Sequence, residues 1–91
     1  MEQVRVRILI EGRLQGMNFR YYTQEHAKKL GLAGFVRNLS DGRIEIEAQG
    51  EKGQVNKMLA WCERGPQSDH IKSILFRYDD PVERSPEFIV R

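Results

Sequence analysis

Val4, Val6, Ile8 and Ile10 alternate without a break with Arg5, Arg7, Leu9 and Glu11. Side chains along a strand point to opposite faces in turn, so this segment reads as a β-strand with one buried face. Ile44, Ile46 and Ala48 alternate with Glu45, Glu47 and Gln49 in the same way. A sheet that is apolar on one face needs a second layer to cover it. Two segments of helical period supply that layer. From about Tyr21 to Leu30, Tyr22, His26 and Leu30 recur four apart, with Thr23 and Ala27 beside them and Gly31 as the stop. Val55, Met58, Leu59 and Cys62 fall at i, i+3, i+4 and i+7, and Gly65-Pro66 closes that helix.

Gly34 to Asn38 reads as a further strand, and Ser40-Asp41-Gly42 is a turn signal that folds it onto the Ile44 strand as a hairpin. Gly50 and Gly53 are expected to mark the break before the second helix. Ile71 to Tyr78 reads as a fourth strand, with Ile74, Phe76 and Tyr78 on one face, and 79–86 as a loop. Phe88-Ile89-Val90 is expected to form a short terminal edge strand. The predicted order is β-α-β-β-α-β with one added strand. It defines an α+β, ferredoxin-like fold: an antiparallel sheet covered on one face by two helices. Ninety-one residues suffice for one domain, expected over 1–91. Many unrelated functions use this architecture, so function has to come from a site.

Charge excludes little. The chain has 15 Lys+Arg against 13 Asp+Glu, too slight an excess to argue for a nucleic-acid surface. It leaves room for one local anion site on a mixed-charge exterior. Cys62 is the only cysteine, so no intrachain disulfide is possible. The N-terminus has no signal-peptide layout, and no stretch approaches the roughly 20 apolar residues of a membrane span. Together these predict a cytoplasmic location.

The loop Gly12-Arg13-Leu14-Gln15-Gly16-Met17-Asn18-Phe19-Arg20 joins the first strand to the first helix. It runs into a helix N-terminus, where unpaired N–H groups and the helix dipole favour an anion. A glycine such as Gly16 lets successive N–H groups converge as a nest. Arg20 adds a planar fork able to hold two phosphate oxygens. Read from the residues alone, the loop is either a phosphate or carboxylate site or a tight loop beside a solvated arginine.

That nonapeptide resembles the acylphosphatase signature G-x-V-Q-G-V-x-F-R. A second signature of the family, G-x-V-x-N-x-x-D-G-x-V-E, is similar to Gly34-Phe35-Val36-Arg37-Asn38-Leu39-Ser40-Asp41-Gly42-Arg43-Ile44-Glu45. Ala27-Lys28-Lys29-Leu30-Gly31-Leu32 resembles the family's helix end, and Gly65-Pro66 its second helix stop, so the likeness spans nearly the whole chain. Leu14, Met17 and Ile44 replace valines and stay apolar. The family often closes its last strand with an aromatic residue, where this chain has Arg91; the consequence falls on the packing of that strand.

The resemblance implies an enzyme that hydrolyses acyl phosphates, and it implies roles. Arg20 and the N–H groups of Gln15, Gly16, Met17, Asn18, Phe19 and Arg20 would form a phosphate-binding loop. Asn38 would hold the attacking water. In-line attack at phosphorus would expel a carboxylate, without a cofactor and without a metal. A carboxylate is a good leaving group, its conjugate acid having a pKa of about 4, so a general acid is dispensable. The phosphoryl oxygens themselves would accept the proton of the water, which accounts for neither motif offering a His or carboxylate as an obvious base. The expected partners are a small-molecule acyl phosphate, with inorganic phosphate or sulfate as competing anions. Neither nucleic acid nor membrane is expected to bind, and the expected state is a monomer.

Other residues have plainer readings. His26 is expected to be a packed or surface histidine, and His70 has no paired ligand. Cys62 is read as a small core residue, which leaves no zinc spacing. Trp61, Tyr21 and Tyr22 are read as packing, and Asp41-Gly42 as turn geometry. Glu45 and Glu47 are expected on a solvated face. Two other functions fit the fold. One is an RNA-binding βαββαβ module, which would need aromatics on its central strands; Arg5, Arg7, Leu9, Glu45, Glu47 and Gln49 do not provide them. The other keeps the fold and site but changes the role: a non-catalytic anion-binding domain, or a domain of the acylphosphatase-like kind that also occurs inside larger carbamoyl-transfer maturation proteins.

Overall fold

The computed structural model describes residues 2–91. Strand β1 spans Gln3–Gly12, helix α1 Phe19–Lys29, β2 Ala33–Asn38, β3 Ile44–Glu51, α2 Lys52–Arg64, β4 Ile71–Asp79 and β5 Phe88–Val90; a 3-10 turn, Ser68–His70, precedes β4. The sheet order is β4-β1-β3-β2-β5. Three pairings are antiparallel, and β5 runs parallel to β2. The expected all-antiparallel sheet is therefore mixed at one edge. Because the 80–87 segment crosses the sheet before β5 begins, β5 enters alongside β2 in the same direction.

The alternation at the N-terminus does what its period requires. Val6 faces Ala48, Ile8 faces Ile46 and Ile10 faces Ile44 across the β1–β3 ladder, all on the covered face and all buried. Helix α1 packs on β2 and β5, and α2 on β3 and β1. Val55, Met58, Leu59 and Cys62 form the buried stripe of α2, as their spacing predicts. In α1 the buried stripe is Phe19, Thr23 and Ala27, whereas Tyr22 is exposed and His26 and Leu30 are only half-buried. The buried stripe runs one position to the side of the predicted one. Thr23 meets its polar requirement within the helix, its hydroxyl donating to the Phe19 carbonyl at 2.8 Å. At the C-terminus of α1, Gly31 N–H donates to Lys28 and Leu32 N–H to Ala27, which closes the helix.

Gly50 and Gly53 do not mark a break. Gly50 lies inside β3 and Gly53 in the first turn of α2, so the strand passes directly into the helix at Glu51–Lys52. A Cβ on Gly50 would press on the Leu32 side chain. There glycine serves close packing rather than a turn.

The larger departure concerns Glu45 and Glu47. They point to the face away from the helices, yet Glu45 is only 1% exposed and Glu47 only 7%. Arg7 Nε donates to Glu45 Oε2 at 2.7 Å and Arg37 Nε to Oε1 at 2.6 Å. Arg5 and Arg84 grip Glu47. The 80–87 segment lies across this face, held by two hydrogen bonds between Gln49 and the Val82 backbone and one from Arg5 to the Asp80 carbonyl. The two glutamates are partnered by arginines, as buried carboxylates require.

Candidate active site

Three sequence-distant segments meet at one end of the sheet. β1 ends at Gly12, and residues 13–18 turn away to start α1 at Phe19; β2 ends at Asn38, across the hairpin from Ile44; β5 brings Val90 alongside. Between them lies a cavity of about 900 Å³ lined by Gln15, Gly16, Asn18, Phe19, Arg20 and Asn38 among others. The two sequence motifs, 18 positions apart from Arg20 to Asn38, thus face one space.

The loop geometry follows from two left-handed residues. Gly16 has φ 78°, which glycine adopts without steric cost. Asn18 has φ 56° and ψ 34°, a conformation tolerated by asparagine better than by most residues. Asn18 is the N-cap of α1, but its side chain makes no capping bond, and no acidic residue occupies the first helical turn. Among the described residues, the N–H groups of Gln15, Gly16, Asn18, Phe19 and Arg20 donate to no other protein group. Helix starts leave such donors open. Here three lie in the loop and two in the first turn of α1, at the positive end of its dipole.

Met17 behaves differently from its neighbours. Its N–H is directed to the Leu14 carbonyl at 3.4 Å, and its side chain packs against the core. Of the six residues expected to form the loop cradle, it alone does not line the cavity. Its carbonyl accepts a bond from Gln67 Nε2 at 3.3 Å, which braces the loop against the segment after α2. Phe19 is buried and stacks on Trp61, whose ring also stacks with His26. That three-ring column anchors the start of α1. Burial, followed by the charge of Lys29, pushes the His26 pKa down.

Arg20 Nη1 donates to the Arg91 carbonyl at 2.8 Å, and the guanidinium makes no ion pair among the described residues. The Asn38 side chain has no hydrogen-bond partner among them either, which leaves its amide available to the cavity. In the neighbouring hairpin, Arg43 N–H and Nε donate to the two oxygens of Asp41 at 3.0 and 2.9 Å. These bonds hold the Asp41 carboxyl below the usual carboxylate range. Asp41 is thereby committed to the turn, in keeping with its sequence reading. Cys62 is buried in the core, and burial, helped by Glu63, pushes its thiol up to about 12. It is inert packing, not a nucleophile.

Sequence reasoning missed two features of this region. Tyr21, expected to pack, is 54% exposed and lines the cavity mouth. Arg91 enters through its carbonyl, and no motif marks a backbone acceptor. No group of three or more His, Cys, Asp or Glu able to hold a metal occurs among the described residues. No helix among them is long and apolar enough to cross a membrane.

The fold and site define a class: small α+β domains of ferredoxin-like topology with a cavity beside the loop between the first strand and first helix. Within that class the chain belongs to the acylphosphatase family, whose profile matches residues 6–90. It is 37% identical over 90 residues to an acylphosphatase of Roseiflexus sp. (strain RS-1), covering 99% of this chain and 97% of the relative. Its fold is similar to the crystal structure of acylphosphatase from Bacillus subtilis, with a TM-score of 0.87, 34% identity, and coverage of 97% of this chain and 98% of that one. An acylphosphatase from Coxiella burnetii superposes with a TM-score of 0.85 at 30% identity, over 98% of this chain and 93% of that one. The chain is accordingly an enzyme with acylphosphatase function.

Proposed function

We propose that this enzyme hydrolyses acyl phosphates by metal-free, in-line attack of water at phosphorus. Arg20 and the open loop N–H groups hold the phosphoryl oxygens, and Asn38 orients the water. The new bond forms between the water oxygen and phosphorus. The bond between phosphorus and the bridging acyl oxygen breaks, and its electron pair leaves with the carboxylate. The proton of the water passes to a phosphoryl oxygen, so the products are a carboxylate and inorganic phosphate.

The observation that carries this reading is the pairing in one cavity of unpartnered N–H donors and a guanidinium with an unpartnered amide. Phosphoryl transfer depends chiefly on position and on stabilising charge. Preorganised donors supply both without reorganising during the reaction. The lining offers no carboxylate or histidine to act as acid or base; a carboxylate leaving group needs no general acid, and a phosphoryl oxygen takes the proton of the water in place of a base.

The same reading makes inorganic phosphate and sulfate competitive inhibitors at residues 15–20. It places a monomeric enzyme in the cytoplasm, in line with the single buried cysteine. The decisive experiment is turnover of benzoyl phosphate after exhaustive chelation. Retained activity with competitive inhibition by phosphate is the expected result. Activity lost on chelation and restored by magnesium would overturn the mechanism.

A further inference from the structure

The cavity that holds Arg20 and Asn38 is also lined by a second arginine, Arg13, and by no Asp or Glu. Arg13 follows directly on β1. Its backbone is pinned by donation of its N–H to the His70 carbonyl at 2.9 Å. Arg20 stands at the opposite end of the same loop, so the loop carries one cation at each end.

Several other arginines are ion-paired. Glu45 pairs with Arg7 and Arg37, and Asp41 pairs with Arg43. Arg13 makes no ion pair among the described residues. On its outer side it borders a smaller hollow with Glu11 and Asp69, neither within ion-pairing distance, and Glu11 is already 3.9 Å from Lys72. A free guanidinium beside a carboxylate-free cavity attracts a further anion. The cavity, at about 900 Å³, has room beyond a phosphoryl group for the acyl half of the substrate.

We propose that Arg13 is a specificity-determining residue, selecting acyl phosphates whose acyl half carries a second anionic group, a carboxylate or a phosphate. The proposal rests on the reading that Arg20 and the loop N–H groups hold the reacting phosphoryl end. The second anion then meets Arg13 at the other end of the loop. The contact is made in the ground state as well as the transition state, so it acts mainly on KM.

The test compares kcat/KM for succinyl phosphate, 3-phosphonopropionyl phosphate and butyryl phosphate in the wild type, Arg13→Gln and Arg13→Lys. The wild type should prefer the two substrates with a second anionic group by about tenfold, the scale of one charge-assisted contact. Arg13→Gln should bring that ratio close to one through KM, Arg13→Lys should keep most of it, and added salt should compress it. The succinyl and phosphonopropionyl arms show which anion Arg13 selects.

Three results overturn the inference alone: a wild-type ratio near one with good turnover of butyryl phosphate; a ratio that survives Arg13→Gln; or a loss in Arg13→Gln equal on all three substrates and matched by weaker inhibition by inorganic phosphate, which would assign Arg13 to the phosphoryl end. The wild-type comparison needs no variant to fold. If the wild type turns over none of the three, the reading of the active site fails and the inference falls with it.

Discussion

Arg20 Nη1 donates to the carbonyl oxygen of Arg91 at 2.8 Å, tying the first turn of α1 to the end of β5 across 71 positions of sequence. Arg91 is itself fixed. Its N–H donates to the Val36 carbonyl at 2.9 Å, and its guanidinium lies 4.0 Å from the centre of the Phe35 ring. One donor of the Arg20 fork is thereby occupied, which orients the remaining donors.

Deleting Arg91 should therefore weaken inhibition by phosphate by about tenfold, the lower end of the worth of one hydrogen bond to a charged group. Arg20→Lys should be far worse, losing about 100–1000-fold in rate because lysine cannot form the planar grip. Inhibition constants and rates for the two variants make the comparison. Near-normal kinetics for Arg20→Lys would remove Arg20 from the proposed role, and an unaltered phosphate constant in the truncated chain would show that the Arg91 carbonyl does not position it.

Asn38→Ala should lower kcat strongly while leaving the phosphate inhibition constant nearly unchanged. An amide that orients water contributes to the transition state and little to ground-state anion binding. Asn38→Asp should rescue little, since its charge repels a dianionic substrate at short range. Circular dichroism controls for folding. Retained turnover with lost phosphate affinity would move Asn38 into the anion cradle.

Glu45→Gln should destabilise the fold by about 1–3 kcal/mol at pH 7, less than a fully buried pair because Arg7 and Arg37 keep contact with water. Burial by itself raises the Glu45 pKa, but the hydrogen bonds and charges of Arg7 and Arg37 together outweigh it and hold the carboxyl below its usual value. A lowered carboxylate pKa means that the unfolded chain binds the proton first. The stabilisation is complete above the unfolded pKa of about 4 and is lost as pH falls through the folded value. Urea titrations from pH 7 down to pH 3 should show a steeper loss in the wild type than in Glu45→Gln. Parallel curves would refute the assignment.

Gly34→Ala should cost about 2–5 kcal/mol, combining backbone strain with a steric clash. Gly34 has φ 139°, and a Cβ there would strike the carbonyl of Glu47 on the paired strand. The ladder cannot open at that point without disturbing the Glu47 ion pairs. A urea midpoint within experimental scatter of the wild type would contradict this.

What the sequence determined by itself is what local periodicity encodes. The alternation of Val4 to Ile10 and of Ile44 to Ala48, and the i, i+3, i+4 stripe of Val55 to Cys62, set element type and buried face, because each repeat matches one backbone period. The resemblance of two local motifs to family signatures likewise pointed to Arg20 and Asn38, the residues to which the proposed mechanism gives its roles. The tertiary structure decided the rest. Nothing near Glu45 in sequence except Arg37 reveals that it will be buried, because Arg7 arrives through strand pairing. The parallel entry of β5 depends on the 80–87 segment crossing the outer face, where Gln49 and Arg5 hold it by backbone contacts that carry no sequence pattern. Arg20 is oriented by a carbonyl, a group every residue possesses. Long-range pairing and backbone acceptors leave no periodic trace, so only the folded chain could reveal them.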